Sequence, residues 1–124
     1  MTHRSGDGSG ELDRTATTLA DFLEFAALGA RLVDRGKDAY DSDEMLRLAS
    51  EALLHKIGEA VIRLERVDPD LVAAHPEVRW RAMKGTRNRV AHDYGAVDYE
   101  IIWAALADRL PEEADHVRRI LDEG

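Results

Sequence analysis

The chain has 124 residues, 44% hydrophobic and 34% charged, with a formal charge of −8, enough for one folded domain with one core and not for two. It has no cysteine, so disulfides, thiolate metal sites and a cysteine nucleophile are excluded. The net negative charge argues against broad, non-specific binding to nucleic acid, which depends on clustered Lys and Arg.

From Met1 to Asp13 the sequence is small, polar and glycine-rich, and is expected to be a flexible tail ahead of a helical domain at 14–124. The GDGSG run there has no preceding strand and no P-loop lysine, so it does not read as a phosphate loop. Neither a signal-peptide core nor an apolar stretch long enough to cross a bilayer is present, and a cytoplasmic protein is expected.

A first helix is expected from Thr15 to Arg35, where Leu19, Phe22, Leu23, Ala26, Ala30 and Val33 recur at steps of three and four, and Gly36 stops it. A second follows the turn-forming Asp41, Ser42 and Asp43, with an apolar stripe of Leu46, Ala49, Leu53, Ile57, Ala60 and Leu64. Gly58 within it suits a close helix approach. Asp68 and Pro69 read as a cap and first position, so a short helix or turn to Ala74 is expected.

The third long helix is expected over Val78 to Tyr94, with Val78, Ala82, Met83, Val90 and Ala91 inward, arginines outward and Gly95 at its end. A fourth opens near Asp98 and buries Ile101, Ile102, Ala105 and Leu106. Pro111 either kinks it or begins a further helix through Ile120. The fold class is therefore all-α, an antiparallel bundle of four to five helices joined by short connections.

The chemistry is concentrated at Arg87-Asn88-Arg89-Val90-Ala91-His92-Asp93-Tyr94, which follows Arg79, Arg81 and Lys84 and makes a local basic surface on an acidic chain. On a helix Asn88 and His92 share a face, so the amide can fix the histidine tautomer, while Arg87 is turned roughly 140° away from His92. One helix therefore aims the pair poorly at one atom, whereas a two-fold dimer gathers two arginines and two histidines in one cleft. Such groups suit RNA cleavage by its own 2′-hydroxyl without a metal: histidine as base or acid near neutrality, arginine on the phosphate. Spacing alone fits a plain structural role as well, because a histidine near a helix C-terminus gains from the macrodipole and helical arginines are commonly solvated.

Other polar residues carry weaker signals. Glu59 either orients Arg87 across the bundle or is a solvated carboxylate. His55 and His75 lack ligand-spaced partners, so no metal and no other cofactor is expected. Trp80, Met83 and Trp103 read as core or dimer-interface residues, with base stacking the lesser option. Tyr40 and Tyr99 read as surface or packing residues, and Ser42 and Ser50 have no base at readable spacing.

From about Leu53 to Leu121 the sequence resembles the HepT-like branch of the HEPN superfamily. The resemblance rests on IGEA at Ile57 to Ala60, HPEVRWRAMKGTRNRVAHDY from His75 to Tyr94, VDYEIIW from Val97 to Trp103 and DRLP at Asp108 to Pro111. It implies an antiparallel helical homodimer with metal-independent ribonuclease activity, Arg87 and His92 being the matching catalytic residues and Asn88 the polar position beside them. It also implies a toxin–antitoxin pair whose partner, a minimal nucleotidyltransferase, transfers AMP to the motif tyrosine, here Tyr94. The alternative function is a non-catalytic subunit that binds nucleotide or substrate for a nucleotidyltransferase complex. No membrane partner is expected.

Overall fold

The computed structural model describes the backbone of residues 2–85 and 97–123, and the side chains of residues 14–85 and 97–123. All of the regular structure among the described residues is helical, and no described helix is long and apolar enough to cross a membrane. In chain order the helices are α1 (Thr2–Asp34), α2 (Lys37–Ser42), α3 (Glu44–Val67), α4 (Pro69–Ala74), α5 (described over 80–85), α6 (Tyr99–Ala104) and α7 (Leu110–Glu123). A π-helical stretch, Ala105–Arg109, joins the last two.

The boundaries follow local chemistry. Helix α1 begins at Thr2 rather than at Thr15, continuing through the glycine-rich segment, because lengthening an existing helix adds a hydrogen bond for each residue fixed. It ends where expected: Gly36 takes φ 95°, and its N–H donates to Val33 O at 2.9 Å. The turn predicted before the second long helix is itself a short helix, α2. Asp43 then caps α3 by accepting from Met45 N at 2.9 Å. Asp68 caps α4 in the same way, accepting from Leu71 N at 3.1 Å with Pro69 at the first position.

Helix α1 lies antiparallel to α3, since Thr15, midway along α1, donates to Asp68 Oδ2 at 3.1 Å just beyond the end of α3, while Asp21, further along α1, pairs with Arg63, earlier in α3, at 3.6 Å. Between α1, α3 and α7 the core gathers Leu19, Phe22, Ile57, Val61, Leu106 and Val117. On α1, α3 and α6 three expected inward positions are exposed: Ala30, Ala49 and Ile101. On α1 the buried line passes through Gly29 and Leu32 instead of Ala30. A Cβ on Gly29 would stand 3.3 Å from the side chains of both Leu106 and Leu110, so glycine is what allows this close approach. On α3 the line runs through Ser50, Leu54, Ile57, Val61 and Leu64. Ser50 takes the place expected of Ala49 because its hydroxyl is satisfied there, donating to Arg47 O at 2.6 Å and meeting Tyr40 Oη at 3.0 Å. Gly58, also expected at a close approach, is buried in α3. Ile101 is left outside because Asp98 starts α6 with Ile102 inward, Asp98 Oδ1 accepting from Glu100 N and Ile101 N.

Pro111 neither kinks a continuous α-helix nor starts an isolated one. It cannot donate to Ala107 O, and the backbone accommodates this by widening over Ala105–Arg109 before α-geometry resumes at Leu110.

Candidate functional site

Arg87, Asn88, His92 and Tyr94 lie outside the described residues, as do Val90, Ala91 and Gly95. The structure instead defines the two flanks between which they are strung, ending at Gly85 and resuming at Val97.

On the leading flank, Val78, Trp80 and Met83 are buried and tie α5 to the core. Trp80 Nε1 donates to His75 O at 3.0 Å, which fixes the turn before the helix. The first turn of any helix leaves backbone N–H groups without intrahelical partners. Here Glu113 of α7 supplies an acceptor, taking the Arg79 N–H on Oε1 at 3.0 Å. Glu113 is only 4% exposed, which its carboxylate tolerates because it is hydrogen-bonded. The arginines point outward as expected: Arg79 and Arg81 are exposed, and Lys84 donates to both oxygens of Glu65 at 2.8 and 2.9 Å. Ala82, expected inward, is exposed, because the turn at His75–Val78 delays the start of α5 to residue 80 and directs Met83 to the core.

On the trailing flank the anchors are polar. Tyr40 is fully buried, and its hydroxyl donates to Tyr99 O at 3.0 Å while meeting Ser50 Oγ at 3.0 Å. The Tyr99 hydroxyl donates to Glu51 in turn, and that carboxylate holds the phenol up at about 12, with burial adding to the shift. The Arg47 guanidinium lies 5.8 Å from the Tyr99 ring centroid and donates to Tyr40 O at 3.1 Å and Asp41 O at 2.6 Å. Lys37 joins Glu100 at 2.9 Å and Asp41 at 3.0 Å, and these carboxylates raise its pKa. Trp103 closes the cluster with its ring 4.9 Å from that of Tyr40.

Glu59 lies on the exposed side of α3, 4.0 Å from His55 Nε2. Whether it orients Arg87 depends on a residue outside the described set. His75 Nδ1 pairs with Glu77 Oε2 at 2.9 Å, which lowers the Glu77 pKa. No group of three His, Asp or Glu stands together as a metal cage among the described residues. Trp80 and Met83 are core residues, and Tyr40 and Tyr99 are packing residues.

The roles of Glu113 and Ser50, among others, were not anticipated from the sequence. Glu113 had a readable signal, since Leu106, Leu110, Glu113, Val117 and Ile120 recur at three- and four-residue steps and put a carboxylate on an apolar face. Ser50 had none beyond its place on the inner line of α3.

A family model described as "Ribonuclease HepT-like" matches residues 18–120. A candidate RNase of Caldanaerobacter subterraneus subsp. tengcongensis is 31% identical over 96 residues, 74% of this chain and 83% of that one. A candidate RNase of Methanocaldococcus jannaschii is 29% identical over 86 residues, 69% of each chain. A candidate ribonuclease named HepT from Thermococcus cleftensis is 27% identical over 96 residues, covering 73% of this chain and 84% of that one. No solved structure matches the chain significantly.

Proposed function

The chain belongs to the HepT-like ribonuclease family of the HEPN superfamily, and from that premise we propose that it is a metal-independent endoribonuclease, the toxin of a toxin–antitoxin pair. The observation that carries this reading is the family match over residues 18–120, which contains Arg87, His92 and Tyr94 at the motif spacing. Two firmly held flanks and the basic side chains leading into the motif are consistent with it.

The reaction is attack by a ribose 2′-oxygen on its neighbouring phosphorus. One His92 takes the 2′-hydroxyl proton, and the His92 of a second copy gives a proton to the departing 5′-oxygen. The P–O5′ bond breaks as the 2′-O–P bond forms, leaving a 2′,3′-cyclic phosphate and a 5′-hydroxyl. Arg87 binds the phosphate oxygens and stabilises the charge that gathers on them, and Asn88 holds the histidine tautomer. Both histidines are needed in one cleft, so the active form is a homodimer.

The partner is a minimal nucleotidyltransferase that transfers AMP to Tyr94. The added phosphate, two residues from His92, blocks the cleft and repels RNA.

Purified protein is expected to cut RNA in the presence of EDTA, and His92→Ala is expected to abolish cutting and growth inhibition together. Toxicity that persists in His92→Ala defeats the reading, and nucleotide binding without cleavage favours a non-catalytic subunit. Tyr94→Phe is expected to stay toxic and to gain no AMP-sized mass with ATP and the partner. An increment on that variant identifies another acceptor.

A further inference from the structure

A cavity of about 130 Å³ opens between α3, α5 and the start of α7. Leu54, Ile57, Met83 and Leu110 form its apolar walls, and the exposed Arg79 and Arg109 stand at its mouth. Glu113 also lines it. Its Oε1 is occupied by the Arg79 N–H, but Oε2 accepts no hydrogen bond among the described residues and lies 4.0 Å from Arg79 Nε. Glu113 is otherwise nearly enclosed, at 4% exposure. The cavity is the opening that Glu113 lines.

We propose that this cavity is a base-binding subsite for an amino-bearing nucleobase of the RNA: adenine, cytosine or guanine rather than uracil. The flat ring fits between the apolar walls. The exocyclic amine donates to Glu113 Oε2, and the Arg79 guanidinium donates to an acceptor on the base. Arg109 faces the strand's phosphate. Uracil is disfavoured because its single ring N–H sits between two carbonyl oxygens, which would face the carboxylate.

Charge decides between RNA and a second copy of the chain as occupant. Two guanidiniums against one carboxylate make this mouth locally positive and suit a polyanion. The inference rests on the ribonuclease reading, and it puts the base near the motif. Arg87 is four positions after Met83, so their Cα atoms are within about 14 Å whatever the path.

The test uses the full chain carrying His92→Ala, with methyl resonances of Leu54, Ile57, Met83 and Leu110 followed by NMR as CMP, AMP, GMP or UMP is added. Shifts confined to these methyls are expected with the first three, with UMP about ten-fold weaker. Glu113→Gln keeps an acceptor for the Arg79 N–H but presents an amide donor to the cavity, and is expected to bring UMP to within about two-fold of CMP. Arg109→Ala, at an exposed position, is expected to weaken all four without changing their order. The proposal is overturned if these methyls do not move, if UMP binds as well as the others, or if self-association protects the Met83 methyl from every nucleotide. Base-selective binding alongside an unsubstituted chain that cuts no RNA would instead defeat the ribonuclease reading alone, and RNA cutting by the unsubstituted chain without any methyl shift would defeat the subsite alone.

Discussion

The α1–α3–α7 core and the joint around Tyr40 hold the chain by different means. In the core many apolar side chains share the work: Phe22, Ile57, Val61, Leu106 and Val117 are all nearly inaccessible, and no single contact is decisive. At the joint one phenol hydroxyl reaches both Ser50 of α3 and the backbone of Tyr99, so a few directional bonds fix where the chain re-enters the bundle after the motif. Apolar burial sets how firmly the fold stands, and the polar joint sets where one segment goes.

If that division is right, losses in the core are global and large. Leu106→Ala is expected to lower stability by about 2–5 kcal/mol in chemical denaturation, with every helix losing protection against hydrogen exchange together. Tyr40→Phe keeps the ring and removes both hydroxyl contacts, so the expected cost is about 1–2 kcal/mol. Its exchange signature should be concentrated in α6; a uniform loss like that of Leu106→Ala would erase the distinction between the two regions.

The smallest effect is confined to alkaline solution. The Tyr99 phenol is held at about 12, above its ordinary 10.0, so between these values an unfolded chain releases this proton while the folded one keeps it. The contribution is complete below about pH 10 and is lost as pH rises towards about 12. Alkaline denaturation of Tyr99→Phe should therefore be less steep across that window. Burial of Tyr40 and the carboxylates around Lys37 raise those groups too, so the slope should be reduced rather than abolished.

The long helices were legible because their signals are local and repeated: apolar steps of three and four, aspartates at their starts and a glycine at the end of α1. Where the reading slipped, the cause was tertiary. Ala30 and Ala49 have the right spacing, yet Gly29 and Ser50 lie inward because close approach to Leu106 in one case and a hydroxyl partner in the other decided the rotation. The short α2 is too brief to carry a periodic signal. For Arg87, Asn88, His92 and Tyr94 the motif and its flanking segments supply an expectation only, since these residues fall outside the described set. Glu113 was readable as a carboxylate on the apolar face of α7, but its role emerges only from its bond to the Arg79 amide, 34 positions away in the chain.

The widened turn at Ala105–Arg109 has a geometric consequence. A π-turn accommodates one extra residue, which offsets the phase of everything beyond it by about 100° from a straight α-continuation. That offset helps to aim Glu113 at α5. Excising a single residue from the stretch would rewind it, swing the carboxylate off the Arg79 amide, and leave α7 presenting the wrong side to its neighbours although every amino acid in it were unchanged.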